Sequence, residues 1–228
     1  MIYLTSLFIR LDNGKGRRDI ADCHQLHRTI MSAFVALQSD TARKDQNILY
    51  RVMTDGGLRT QVFVQSNAKP DLAAWEAKPH LVLEKRNGPG YLEIKNPHEI
   101  FRSGRLLSFD LLTCPTKKTG GATKEQRLKG ERANSRRVGL ADSGSRIAWL
   151  QEKAQKGGFS LLSVSECGKQ VVAGTKPGGM RITHSAVRFT GVLKIEDGLD
   201  FVETLEKGIG AGKAHGLGLL MVSRYNHY

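Results

Sequence analysis

Residues 2–11 alternate apolar and polar positions and are rich in Ile, Tyr, Leu and Phe, a period-two pattern that predicts a strand. NGKGRR (13–18) reads as a turn, with Asp19 as the N-cap of a following helix. In that helix Ile20, Cys23, Leu26, Ile30, Phe34 and Leu37 recur at three- and four-residue spacing, one apolar face with His27 at its edge. NILYRVM (47–53), the turn DGG (55–57) and LRTQVFVQS (58–66) form a hairpin by pattern. A short helix follows in KPDLAAWEA (69–77), then a strand at His80–Leu83. The order is β-α-β-β-α-β.

The same order then returns. GRLLSFDLLTC (104–114) is strand-like, and SGSRIAWLQEKAQ (143–155) is helical with Ile147, Leu150 and Ala154 on one face. FSLLSVSEC (159–167) and RITHSAVRFTGVLKIE (181–196) read as a β pair. DGLDFVETLEKG (197–208) is a helix with an acidic first turn and Gly208 at its C-terminus. GLGLLMV (216–222) closes the set as a strand. The expected fold class is α+β: tandem ferredoxin-like domains, one over residues 1–100 and one over 101–228. The second holds a basic loop insertion at 115–142 and a glycine-rich loop at 208–218.

Charge narrows the class of partner. The 228 residues carry 35 Lys+Arg against 22 Asp+Glu, a net +13. An excess of this size points to a polyanion, most often nucleic acid. It is uneven: residues 1–110 hold 16 basic and 12 acidic side chains, residues 111–228 hold 19 and 10. The densest stretch, 117–137, has no aromatic residue to stack on a base, so its natural ligand is phosphate. Lys117, Lys118, Lys129, Arg132, Arg136 and Arg137 all lie in it. Three isolated cysteines without a CxxC pair argue against a disulfide scaffold or zinc module and suit a reducing cytoplasm. The longest uncharged run, Thr29–Ser39, is too short to span a membrane. The N-terminus does not read as a signal peptide.

GIGAGKAHGLG (208–218) is not a nucleotide-binding loop. A P-loop would need Gly where Lys207 stands and Ser or Thr where Ala214 stands, and it would run from strand to helix. Five glycines, Gly208, Gly210, Gly212, Gly216 and Gly218, permit close approach of a bulky backbone, and Lys213 adds a point charge. That suits a sugar-phosphate chain. The bland alternative is a helix cap and a tight turn. His24 and His27 stand at i, i+3 and project from neighbouring positions. They can be core-edge residues, part of a metal site that lacks an evident third ligand, or acid–base groups. For RNA, whose 2′-OH is its own nucleophile, cleavage needs a base, an acid and a cation at the phosphate. His27, His24 and Lys213 have those properties.

The glycine-rich stretch after a tandem ferredoxin-like pattern resembles the Cas-six superfamily of CRISPR repeat endoribonucleases, closest to its CasE family of type I-E Cascade. HQLHRTIMSAF on the first helix, RRVGL…RIAWLQEK (136–153) and FTGVLKIED (189–197) extend the resemblance from Met1 to about Tyr225. It implies metal-independent cleavage of precursor RNA at the 3′ base of the repeat hairpin, without a cofactor. The expected ends are 5′-hydroxyl and cyclic or 3′-phosphate, and the product stays bound within Cascade beside its other subunits. By the same resemblance His27 is the catalytic histidine and Arg28 a phosphate ligand. The tyrosine that the family often has three residues earlier is here His24. Lys213 and the five glycines match the family's glycine-rich signature; His215 does not belong to it and is given no role. Basic residues of the second half would grip the RNA stem, largely by shape. The competing readings are a non-catalytic RNA-hairpin-binding subunit and a metal-dependent hydrolase.

Overall fold

The computed structural model describes residues 1–37, 42–53, 58–85, 88–120 and 136–225. The first strand, β1 (Ile2–Arg10), buries Thr5, Leu7 and Ile9 on one face, as its alternation requires, and leaves Arg10 exposed; Ile2, of the opposite parity, is buried as well. β2 (Leu49–Met53), β3 (Arg59–Ser66) and β4 (Leu81–Leu83) complete a sheet of order β2-β3-β1-β4, antiparallel at every step. A short β5 (Leu92–Ile94) adds to the other end of β1, and α5 (Pro97–Ile100) follows it. Neither was expected.

The first helix differs from its expectation. NGKGRR is not a turn before a helix: α1 (Gly14–Ala21) already begins there, capped by the Asn13 side chain accepting from the Lys15 N–H. Asp19 is therefore no cap. It is buried, and its Oδ2 accepts from Thr29 at 2.7 Å and meets Nε2 of the fully buried His80 at 3.1 Å. The apolar face spans a break at Asp22, which is extended and starts α2 (Cys23–Met31). A 3₁₀ turn (Ser32–Leu37) and α3 (Ala42–Asp45) come next. Trp75 on α4 (Leu72–Glu76) closes the core beneath α2, donating from Nε1 to the carbonyls of Thr29 and Ile30, each at 3.2 Å. The proposed DGG turn at 55–57 lies outside the described residues.

The second half repeats the sheet order. β6 (Leu106–Thr113), the long hairpin β9 (Phe159–Thr175) and β10 (Arg181–Ile195), and β11 (Leu220–Arg224) pair as β11-β6-β10-β9, again antiparallel. First-second-third-fourth strands thus take the order 4-1-3-2 in both halves. α6 (Ser143–Lys156) and α7 (Gly198–Lys207), capped by Asp142 and Asp197, pack Trp149, Leu150, Phe201 and Leu205 on this sheet. The 115–142 insertion is not wholly a loop. β7 (Thr116–Thr119) and β8 (Arg136–Gly139) form a two-stranded ribbon, while 121–135 lie outside the described residues. β9 runs eight residues past its expected end and β11 begins at Leu220, not Gly216. The halves meet through buried polar contacts: Arg51 reaches Asp110 at 3.1 Å, and Gln65 donates to the Leu205 carbonyl at 2.7 Å.

Candidate functional site

Asp22 sets the position of α2. Its Oδ1 accepts from the N–H groups of His24 (2.8 Å) and Gln25 (3.2 Å), a helix cap. Its Oδ2 accepts from the N–H of Thr175, at the far end of β9, at 3.0 Å. One carboxylate thereby caps the helix and ties it to the second half's hairpin. The approach is close: a Cβ on Gly174 would stand 2.6 Å from Asp22 Oδ1 and 3.0 Å from the His24 nitrogen. The extended β9, which periodicity did not reveal, thus holds the histidine helix in place.

His27 is partly buried, and its Nδ1 is enclosed without a hydrogen-bond partner among the described residues. Burial, then the charges of Arg43 and His24, push its pKa down to about 4, so its ring is neutral at pH 7 with a lone pair available. His24, three residues earlier, is near enough to act on it electrostatically. Arg28 projects into solvent from the same helix.

Loop 208–218 crosses to α2 from the other half. Gly208, Gly210, Gly212, Gly216 and Gly218 all have positive φ, from 68° to 92°, a region that L side chains rarely adopt. Backbone conformation thus accounts for each of them, including the four that a simple helix cap leaves unexplained. At Gly210 the space left by the missing Cβ is filled by the protein itself. A Cβ there would stand 2.1 Å from Thr113 Oγ1 and 3.2 Å from the Trp149 ring, so Gly210 faces β6 and α6. The close approach that it permits is the protein's own, and Gly210 packs the loop against the second half.

Gly212 and Gly216 bracket the 3₁₀ turn Lys213–His215. The loop is sewn to β6 by the Gly218 N–H to the Leu112 carbonyl (2.7 Å) and by Thr113 Oγ1 to the Ile209 carbonyl (2.7 Å). Its tip rests on Tyr50, whose buried hydroxyl donates to the Ala214 carbonyl at 3.0 Å, with the Cys23 carbonyl at 3.4 Å. That one phenol joins α2, β2 and the glycine loop.

Lys213 borders a cavity of about 200 Å³ with Arg43, Lys44, Asn47, Leu49 and Lys207. Burial lowers its pKa, and Arg43, Lys207, Lys153 and Arg137 lower it further. Four cations from both halves and the ribbon therefore act on Lys213, and among the described residues no acidic side chain lines the cavity, an arrangement that an anion would relieve. Sequence reasoning missed Arg43, half of an Arg-Lys pair in a polar stretch without motif.

It also set aside His215. The His215 ring stands edge-on to His27, centroids 6.3 Å apart, and its Nδ1 is 2.9 Å from Nε2 of His184 on β10. Burial first, then His184, His27, His24 and Lys176, bring the His215 pKa to about 4; burial also lowers that of His184. The structure thus brings His24, His27, His184, His215 and Lys213 to one junction between the halves. Among the described residues no three His, Cys, Asp or Glu side chains are placed to hold a metal ion.

On the ribbon, exposed Lys118 and Arg137 are cross-strand partners, like charges that oppose each other unless an anion lies between them. Lys117 is exposed beside them. The ribbon's base is anchored by Arg146, which donates to the carbonyls of Leu140 and Ala141 and pairs with Glu166 at 2.7 Å. Lys129 and Arg132 lie outside the described residues, as does the side chain of Arg136.

A sequence profile described as CRISPR associated protein matches residues 2–224. The chain is 31% identical over 238 residues to the CRISPR-associated endoribonuclease Cse3 of Thermus thermophilus, covering 97% of this chain and 100% of that protein. The structure of Thermus thermophilus Cse3 bound to an RNA representing a pre-cleavage complex superposes with a TM-score of 0.75 at 26% identity, over 97% of this chain and 98% of that one. The CRISPR-associated protein Cas6e of Escherichia coli K-12 shares the fold, with a TM-score of 0.67 at 22% identity over 98% and 100% of the two chains.

Proposed function

This chain belongs to the CRISPR-associated protein family, and from that premise we propose that it is the endoribonuclease that cuts precursor CRISPR RNA at the 3′ base of each repeat hairpin. The carrying observation is the junction between the halves, where a neutral, partly buried His27 stands beside a cationic cavity built on Lys213 and Arg43. RNA brings its nucleophile, the 2′-OH. His27 takes that proton as the O2′–P bond forms, and a ring with a low pKa is free to accept it at neutral pH. Lys213 and Arg43 face the negative charge gathering on the phosphorane oxygens in a partly desolvated site, where charge stabilisation counts for more than in water. As the P–O5′ bond breaks, the products are a 5′-hydroxyl and a 2′,3′-cyclic phosphate, open to later hydrolysis to a 3′-phosphate. These steps need no metal ion.

Arg28, Lys117, Lys118 and Arg137 are the proposed stem contacts, with Lys129, Arg132 and Arg136 completing the set by sequence alone. A-form RNA offers side chains mainly its backbone and shallow minor groove, so their grip is largely of shape. Gly208, Gly212, Gly216 and Gly218 hold the loop in the conformation that presents Lys213 to that backbone, and Gly210 fastens the loop against β6. We place the two functional units at 1–100 and 101–228, and the product-bound protein in the cytoplasm within Cascade, against its other subunits. No helix among the described residues is long and apolar enough to cross a membrane. End-labelling the two fragments of a cut repeat RNA tests the chemistry: a 5′-phosphate on the downstream fragment would rule out attack by the 2′-OH.

A further inference from the structure

The reaction above leaves one proton unassigned: the departing 5′-oxygen must receive one. Three side chains near His27 can hold it. Lys213 is occupied as the cation of the cavity, and among the described residues His24 makes no ring contact or side-chain hydrogen bond with the other histidines. His215 has the geometry. It faces His27 edge-on with centroids 6.3 Å apart, from a turn that two positive-φ glycines hold and Tyr50 supports from below. One phosphate can reach both rings. Its Nδ1 is engaged with Nε2 of His184 at 2.9 Å, which leaves Nε2 as the working atom. His184 is itself confined, since its ring lies where a Cβ on Gly212 would come within 3.4 Å.

We propose that His215 is a catalytic residue that delivers the proton to O5′ from its Nε2, and that His184 is the positioning residue that holds it there. The inference rests on the endoribonuclease reading. The two rings share one extra proton across their Nε2–Nδ1 bond when the phosphate is bound. As P–O5′ breaks, the Nε2 hydrogen of His215 passes to O5′ and both rings are left neutral. His27 meanwhile holds the proton from the 2′-OH, so the count closes, and solvent exchange resets the three rings. Burial opposes the charged pair in the free protein, and the arriving phosphate anion favours it, which couples the acid to substrate binding.

The test is single-turnover cleavage of a repeat RNA by saturating protein, with a matched RNA carrying sulfur in place of the scissile 5′-oxygen. A thiolate leaves without needing a proton. His215→Ala slows the oxygen substrate by about 100-fold or more, the usual worth of a general acid, and cuts the sulfur substrate within a few-fold of wild type. That recovery also shows that the variant folds. His27→Ala stays slow on both. His184→Gln, whose amide oxygen can accept from the Nδ1–H of the charged His215 ring, keeps most of the rate; His184→Leu loses tenfold or more on oxygen and recovers on sulfur. Wild-type cutting of the oxygen RNA by His215→Ala, or an equal defect on both RNAs, overturns the proposal while leaving the endoribonuclease reading intact. Failure of the wild-type protein to cut the repeat RNA at all overturns both.

Discussion

The hydroxyl of Tyr50 donates to the carbonyl of Ala214 at 3.0 Å, so a fully buried phenol from the first half carries the turn that bears Lys213 and His215 from the second. Tyr50→Phe removes the donor and leaves a carbonyl unpaired near the site. The expected cost is ~1–3 kcal/mol of folding stability, read as a lower urea midpoint. Cleavage should slow by about tenfold as the turn loosens, while hairpin affinity holds. An unchanged cleavage rate would show that the bond is not needed to hold the turn.

His27→Ala is expected to abolish cutting of a repeat RNA and to leave hairpin affinity within a few-fold. Joint loss of cutting and binding would point to a folding defect instead. His24→Ala should give a smaller loss, below the ~10²–10⁴-fold typical of an acid–base group, because His24 acts on the other rings electrostatically. A loss as deep as that of His27→Ala would make His24 a direct participant.

Stability should fall as pH drops from about 6.5 to about 4. His27 and His215 titrate near 6.5 when unfolded and near about 4 when folded, for burial first and neighbouring charges second. Within that window the unfolded chain binds more protons, so unfolding becomes easier as pH falls. Urea midpoints at pH 7 and pH 5 check this, and a His27→Gln/His215→Gln variant should show a smaller drop. An equal drop in that variant would trace the effect to other groups.

Much of this arrangement is legible in the chain, and what is not has a physical reason. Alternation in 2–11 and 104–114 finds the central strand of each sheet, because those strands bury one face and pair on both sides. The helix break at Asp22 is hidden, since apolar spacing continues through it and the carboxylate's second partner, the Thr175 N–H, lies far along the chain. Asp19 looks like a cap by its position, yet its partners Thr29 and His80 come from elsewhere in the fold. His27, His24 and Lys213 stand in recognisable motifs. His215 and Arg43 do not; only packing pairs one with His184 and sets the other beside Lys213. The glycines were visible as a cluster, but their shared positive φ was not. Nor was the inward face of Gly210, whose neighbours Thr113 and Trp149 lie far from it in sequence.

The facing cations of the ribbon give a salt prediction. Lys118 opposes Arg137, and neutralising RNA phosphates would release counterions there. Lys118→Ala should weaken hairpin binding and reduce the slope of log affinity against log salt by about one. A titration series in potassium chloride reads it. An unchanged slope would place the stem elsewhere on the protein.

The central claim is that the substrate's own 2′-OH attacks its phosphate with His27 as base and no metal ion in the step. The most direct measurement is cleavage in EDTA of two repeat RNAs that differ only by a 2′-deoxy sugar just 5′ of the scissile phosphate. The account predicts a single cut in the natural RNA and none in the deoxy RNA. A cut in the deoxy RNA, or activity that appears only when divalent metal is restored, would contradict it.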